Sequence, residues 1–114
     1  MKYIPLKATR SFTNSKVCTG IEYPLGDKDI NATVIRLKGR YPDKGVALNI
    51  KCKEVAYVIK GSGKLTVGNK TVELKVGDVV LVDKGEKYFW EGNMELFMPS
   101  TPAWYPEQHK VDDF

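Results

Sequence analysis

A chain of 114 residues with 42% hydrophobic and 28% charged side chains has the length and composition of one globular domain. The net charge of +4 does not indicate a nucleic-acid surface, because the lysines alternate with apolar residues instead of forming a basic run. No apolar stretch reaches membrane length and residues 1–10 lack the hydrophobic segment of a signal peptide, so we expect a cytoplasmic protein that binds neither nucleic acid nor membrane.

Short β-branched and aromatic runs separated by turn residues predict an all-β fold. Residues 1–19 are irregular and can contribute an edge strand, and helical periodicity is nearly absent. The predicted strands cover residues 32–37, 46–52, 55–59, 64–67, 71–74, 79–82, 88–90 and 95–98. Turn signals rich in glycine fall at residues 61–63, 68–69, 77–78, 84–86 and 92–93.

Two of these runs have distinct burial patterns. In the run 46–52, every second residue is apolar, so we expect a half-buried strand whose inner face holds Val46, Leu48, Ile50 and Cys52. The run 55–59 is apolar on both faces, which predicts a central strand that is covered on both sides. Because covering the outer face of a small barrel usually needs a partner subunit, we predict a homodimer.

The two cysteines, Cys18 and Cys52, are far apart and form no CxxC pair, so we expect free thiols rather than a disulfide or a structural zinc site. The segment 99–114 carries three prolines around Trp104 and predicts a tail that crosses the barrel outside its sheets. We therefore expect one domain over residues 1–114, with a core of about 30–99 and a tail at 100–114.

Two groups of residues have a specific spacing. One holds a Gly, then a Glu with another Gly seven positions later; the second holds a Gly-Asp pair, a further Gly and a Tyr. The first group consists of Gly39, Glu54 and Gly61. The second group consists of Gly77, Asp78, Gly85 and Tyr88, with Asp83 where the pattern has a proline. This pattern resembles the cupin family over residues 33–99. The resemblance implies a jelly-roll barrel of two antiparallel sheets.

The resemblance also implies positions for metal-binding histidines, and none of them is a histidine here. These positions are Leu48 and Ile50 or, with a different spacing, Ala47 and Asn49, together with Tyr88. Cupin metals such as Fe, Mn, Ni and Zn favour imidazole ligands, and Glu54 with Tyr88 alone makes a poor divalent site. We therefore expect no metal cofactor.

Glu54 is the leading candidate for a functional side chain. By alternation it faces the barrel interior, where a carboxylate is costly unless it is paired or hydrogen-bonded. One interpretation is structural: a neighbour satisfies the carboxylate, or a bulge turns it outward. The other is functional: Glu54 is a pocket acceptor or an acid/base group with a raised pKa.

The strand register before Glu54 decides between two further candidates. With a bulge, Asn49 faces the pocket and contacts a ligand. Without one, Asn49 is a surface residue and Cys52 faces inward. Lys51 and Lys53 flank Cys52 and would lower the pKa of its thiol if it were exposed, whereas the alternative is a buried, inert thiol.

The remaining candidates are aromatic residues and the single histidine. Tyr88 and Trp90 are two residues apart and share a strand face, which suits flat amphipathic ligands such as sugars or aromatic acids. Trp104 and His109 lie in the tail and can close the barrel mouth as a lid. His109 is then a candidate general base or a displaced metal ligand beside Glu54 or Glu107, although a tail histidine is more often merely exposed. Tyr41 is a weaker candidate.

These residues support two main hypotheses. The first is a metal-independent binding cupin whose barrel takes a small polar or carbohydrate-like ligand through Asn49, Cys52, Glu54, Tyr88, Trp90 and Trp104. The second is an enzyme of the isomerase, epimerase, lyase or dioxygenase type that uses Glu54 with Tyr88 or His109, with or without a relocated metal. A regulatory module is a third hypothesis, against which the lack of a DNA-binding element argues.

Overall fold

The computed structural model describes residues 1–112, which form nine strands and two short 3-10 helices. The strands are β1 (Arg10–Ser15), β2 (Cys18–Tyr23), β3 (Asn31–Tyr41), β4 (Val46–Asn49), β5 (Lys53–Val67), β6 (Lys70–Lys75), β7 (Val79–Val82), β8 (Tyr88–Thr101) and β9 (His109–Asp112). The 3-10 helices cover Leu6–Ala8 and Pro106–Gln108. Within this described part, no helix is long or apolar enough to cross a membrane.

The strands of the described residues belong to one antiparallel hydrogen-bonded network that curls on itself. One path runs in the order β1-β2-β3-β8-β4-β9, while β5 pairs with β8 as well as with β6 and β7. Strand β8 therefore has β3 on one edge and β5 on the other, so the two layers of the fold are continuous through it. The expected all-β jelly-roll architecture is confirmed.

Two of the predicted glycine turns are not turns. Residues 61–63 lie inside β5 and residues 92–93 lie inside β8, where the two long strands are paired with each other. Gly63 is paired with Gly92, and a Cβ on Gly92 would come within 2.5 Å of the Cα of Gly63. Glycine is required at this crossing because only a residue without a side chain allows the backbones to approach so closely.

The predicted inner face of the strand at 46–52 is wrong. Strand β4 ends at Asn49, and its buried residues are Ala47 and Asn49, which are 0% and 1% exposed. Ile50, expected inside, is 45% exposed. The chain leaves the sheet at residues 50–51, which resets the alternation. Cys52 is consequently buried as well. Asn49 and Cys52, which the sequence presents as alternatives, are therefore both buried.

Both chain ends contribute more to the sheet than their sequence indicates. Residues 10–23 hold two strands, β1 and β2, rather than a single edge strand. The prediction that the tail stays outside the sheets is wrong for β9, which pairs with β4 and brings His109 opposite Asn49. Residues 109–112 contain no proline and can therefore complete a ladder.

The outer surface of the barrel carries an apolar patch, which we call the outer apolar face. Tyr57 on β5 lies between Val79 on β7 and Phe97 on β8, and Val55 lies beside Leu81. These five side chains are 37% to 59% exposed, although β5 is a central strand. Monomeric proteins rarely expose a large contiguous cluster of this kind, which is why we propose a second copy of the chain as its partner.

We predict that Tyr57→Lys dissociates the dimer, since a charge at the centre of the outer apolar face would have to be desolvated on association. Light scattering coupled to gel filtration measures the change in mass. Val76→Lys is the matched control, because Val76 is 58% exposed and lies in the turn between β6 and β7 rather than on the strands that carry the patch. A wild-type monomer at micromolar concentration would refute the prediction.

Candidate active site

The curled sheet surrounds a cavity of about 580 Å³, which is within the usual size range of small-molecule sites. Its lining comes from β1, β2, β3, β5 and β8, and from the segment around the second 3-10 helix. Apolar side chains of the lining include Phe12, Ile35, Leu37, Trp90, Leu96 and Met98, and polar ones include Arg10, Glu22, Asn31 and Thr33. A ligand with both an apolar face and hydrogen-bonding groups matches this lining.

Glu54 is the first inward-facing residue of β5 and lines the cavity. Its strand neighbours are Val82 on β7 and Ser100 on β8. Burial raises the pKa of the Glu54 carboxyl from 4.5 to about 6, and a hydrogen bond from Asn49 Nδ2 to Oε1, 2.5 Å long, opposes that rise. This carboxyl therefore changes its protonation state close to neutral pH.

Asn49 connects Glu54 to the tail. Its Oδ1 lies 2.9 Å from Nδ1 of His109 and 3.0 Å from Nε2 of Gln108. The register of β4 against β9 causes this meeting, because Asn49 is directly opposite His109. The tail thus reaches the carboxyl of Glu54 through one buried amide side chain.

His109 lies against two aromatic rings. Its Nε2 is 2.9 Å from the hydroxyl oxygen of Tyr41, and the Tyr41 ring is nearly parallel to the imidazole at a centroid distance of 6.2 Å. The Trp104 ring is 5.6 Å away between centroids. Burial lowers the pKa of His109, so the neutral imidazole is favoured.

Two phenols complete the site. Burial raises the pKa of Tyr41 to about 12, with smaller contributions from Cys18 and Glu54. Tyr88 is 4% exposed, and burial followed by the nearby Glu54 raises its pKa well above the usual 10. Both phenols therefore keep their protons at neutral pH and are available as hydrogen-bond donors or general acids.

Residues 50–96 match the family model of the cupin domain. In a structural comparison, the chain is similar to Pac13, a nucleoside dehydratase from Streptomyces, with a TM-score of 0.87 and 17% identity over 100% of this chain and 93% of that one. The chain has the cupin fold. Variants of Pac13 in which a tyrosine or a histidine is replaced have been solved with uridine.

Other solved structures are similar to this chain at lower scores. KdgF from Halomonas sp. has a TM-score of 0.68 and 11% identity over 89% of this chain and 94% of its own. Ectoine synthase from P. lautus has a TM-score of 0.68 and 17% identity, covering 88% of this chain and 79% of its own. No protein of curated function matches this chain in a sequence comparison.

The fold gathers most of the predicted site residues around the cavity. Those that line the cavity are Glu54, Tyr88, Trp90, Trp104 and His109, and Asn49 is bonded to Glu54. Tyr41 has only a weak sequence signal, although the alternation Ile35, Leu37, Gly39, Tyr41 along β3 places it on the inner face. Gln108 has no sequence signal, because its role depends on contacts with residues 51 and 52.

Cys52 is buried but does not line the cavity. Its Sγ donates to the carbonyl oxygen of Pro102 at 3.3 Å, so it faces the start of the tail. Burial raises the pKa of its thiol, in contrast to the lowering that Lys51 and Lys53 would cause at an exposed site. Cys52 therefore belongs to the packing around the site rather than to its lining.

The residues at the positions where the resemblance implies metal ligands do not fit a typical cupin metal. The inward positions of β4 are Ala47 and Asn49, and with Tyr88 they provide a methyl group, an amide and a phenol. His109 has both ring nitrogens within hydrogen-bonding distance of other side chains. Among residues 1–112, no group of three or more His, Cys, Asp or Glu side chains is placed to hold a metal ion.

We predict that Glu54 makes folding stability depend on pH. Because its pKa is raised from 4.5 to about 6 in the folded state, the folded protein binds a proton that the unfolded chain releases. This contribution is fully present below pH 4.5 and is lost as pH rises through about 6, a change of about 2 kcal/mol. Urea unfolding gives the free energy of unfolding of the wild type and of Glu54→Gln at about pH 4 and about pH 8. The change between the two pH values in the wild type, minus the same change in Glu54→Gln, is the contribution of Glu54.

In that comparison, His109 is present in both proteins and its titration cancels. Glu73→Gln, which changes an exposed carboxyl on β6, is the control and should follow the wild type. A difference between wild type and Glu54→Gln that does not vary with pH would mean that the Glu54 carboxyl has an ordinary pKa in the folded state.

Proposed function

We propose that this cupin is an acid–base enzyme that works without a transition metal, of the dehydratase type within the lyases, and acts on a small hydroxylated ligand in the barrel. The observation that carries the proposal is the hydrogen-bonded series from Tyr41 through His109 and Asn49 to Glu54, which lines the cavity. A carboxyl with a pKa of about 6 exchanges protons readily near neutral pH.

A dehydration needs one base and one acid at neighbouring atoms of the substrate. The base removes a proton from a carbon next to a carbonyl group, and the electron pair of that C–H bond forms the new C=C bond. The neighbouring C–O bond then breaks, and its oxygen takes a proton from the acid and leaves as water. We assign the base to the carboxylate of Glu54 and the acid to the phenol of Tyr88.

The composition of the cavity supports a sugar-like or nucleoside-like substrate. Trp90 and Trp104 offer flat apolar surfaces, while Asn31 and Thr33 add polar side chains to the lining. Thr33 donates its hydroxyl proton to the carbonyl oxygen of Met98, which leaves its oxygen as an acceptor for a ligand. Because Pac13 is a nucleoside dehydratase that has been solved with uridine, nucleosides are the first compounds to test for binding. Nucleoside derivatives whose sugar carries an aldehyde or ketone are the first to test for turnover, since the elimination needs that carbonyl group.

Ligand binding without turnover is the second candidate function. Its support is that His109 already has Asn49 and Tyr41 at its two nitrogens, which leaves neither nitrogen open to a ligand. A thermal-shift screen with nucleosides, sugars and organic acids identifies ligands under either proposal, because any compound that binds the folded state raises its melting temperature.

We predict that Glu54→Gln lowers turnover of the identified ligand by about 100-fold or more, because the amide cannot accept the proton. Product formation followed by proton NMR measures turnover, and thermal shift measures binding, which we expect to persist. Glu73→Gln again serves as the exposed control.

Equal turnover in Glu54→Gln and wild type would remove Glu54 from the mechanism. A ligand that stabilises both proteins and is converted by neither would favour binding over catalysis.

A further inference from the structure

Gln108 is the only glutamine of the chain and is 2% exposed. Its Oε1 accepts hydrogen bonds from the backbone N–H groups of Lys51 and Cys52, at 3.2 and 3.1 Å. A peptide N–H can only donate, so the side-chain atom that faces these two groups must be the oxygen. The amide nitrogen of Gln108 consequently points the other way, toward Asn49.

The direction of the next bonds follows from this fixed end. Gln108 Nε2 donates to Asn49 at 3.0 Å, so the atom it meets is the acceptor Oδ1. Asn49 Nδ2 then faces Glu54 and donates to its carboxyl. Nδ1 of His109, 2.9 Å from the same Oδ1, must carry a proton in order to bond there.

The last bond in the series reaches Tyr41. A neutral imidazole that is protonated at Nδ1 has a lone pair at Nε2. The hydroxyl of Tyr41, 2.9 Å away, therefore donates to that nitrogen. Two peptide groups between β4 and β5 thus determine the tautomer of the histidine and the direction of the tyrosine hydroxyl.

We propose that Gln108 is a positioning residue that fixes the direction of the hydrogen bonds ending on Glu54 and on Tyr41. It acts on Glu54 through Asn49, and on Tyr41 through Asn49 and His109. Its relevance to catalysis rests on the proposed function, whereas its effect on bond direction does not.

Reversal of the Asn49 amide would change the chemistry of the site. The oxygen of Asn49 would then face the Glu54 carboxyl, which would have to be protonated to bond with it. The charge of the Glu54 carboxylate raises the pKa of four nearby titratable groups. These are Cys18 on β2, Tyr41 on β3, Tyr88 on β8 and Cys52 just before β5. Each has a raised pKa and is neutral at pH 7, so none supplies a positive charge that would hold Glu54 ionised in place of the Asn49 N–H.

Gln108→Glu tests the proposal, because a carboxylate still accepts both backbone N–H groups but cannot donate to Asn49. We expect the Asn49 amide to reverse, so that its Nδ2 donates to the introduced carboxylate and lies next to Nδ1 of His109. The histidine then switches to the tautomer protonated at Nε2, and the pKa of Glu54 rises by about one unit.

Two NMR measurements on the ligand-free protein detect these changes. His109 is the only histidine, so the two nitrogen signals of its ring identify the tautomer without ambiguity. Carbon-detected titration of the glutamate side chains gives the pKa of Glu54. For the wild type we expect the tautomer protonated at Nδ1.

Asn49→Asp is the second variant and keeps the proposal testable if Gln108→Glu does not fold. Its carboxylate still accepts from Gln108 and His109, so the tautomer should be unchanged, but it has no N–H for Glu54, whose pKa should rise. Glu107→Gln, an exposed change next to Gln108, is the control and should alter neither measurement.

A wild-type histidine protonated at Nε2 would overturn the proposal. So would a Gln108→Glu protein that keeps the wild-type tautomer and the wild-type pKa of Glu54. Because no substrate enters these measurements, their failure is distinct from a failure to find enzymatic turnover.

Discussion

The pairing of β5 with β8 holds the two layers of this barrel together, and the positions of the site residues depend on it. The two strands run side by side from Lys53 opposite Thr101 to Val67 opposite Tyr88, so Glu54 lies near one end of the ladder and Tyr88 at the other. The two residues are nevertheless close enough for the charge of Glu54 to raise the pKa of Tyr88. In a flat sheet the length of this ladder would separate them, so their closeness follows from the curling of the sheet. Gly63 and Gly92 allow the backbones of β5 and β8 to approach closely within it.

The interior also explains how a barrel without the imidazoles of a metal-binding cupin remains polar at its centre. An amide at Asn49 and a phenol at Tyr88 stand at two of the three positions, and both are almost completely buried. Buried polar groups need partners, and here the partners of Asn49 include Gln108 and His109 from the tail. Glu54, Asn49 and His109 therefore form a hydrogen-bonded polar centre beside the cavity.

The local sequence predicts the strand-rich fold and the inward-facing Glu54, since alternation and turn spacing are local properties. It does not predict the break at residues 50–51. With this break, the buried residues are Ala47 and Asn49, and not the aliphatic residues at positions 46, 48 and 50. That break is stabilised by Gln108, whose Oε1 binds the peptide groups of residues 51 and 52 from 57 and 56 positions away. The glycine-rich residues 61–63 and 92–93 mislead for a similar reason: close packing between two distant strands and a tight turn both select glycine.

The docking of β9 against β4 makes the polar centre of the barrel depend on a contact between distant parts of the sequence. The β5–β6 hairpin closes a short loop, whereas the bond between Asn49 and His109 joins residues that are 60 positions apart. Contacts of such separation carry a larger loop-closure entropy than those of a hairpin. A chain in which β9 is detached would keep most of its cavity walls, because these come from other strands, but Asn49 would lose the partners that fix its orientation. The apolar walls of the cavity are therefore independent of β9, whereas its polar centre is not.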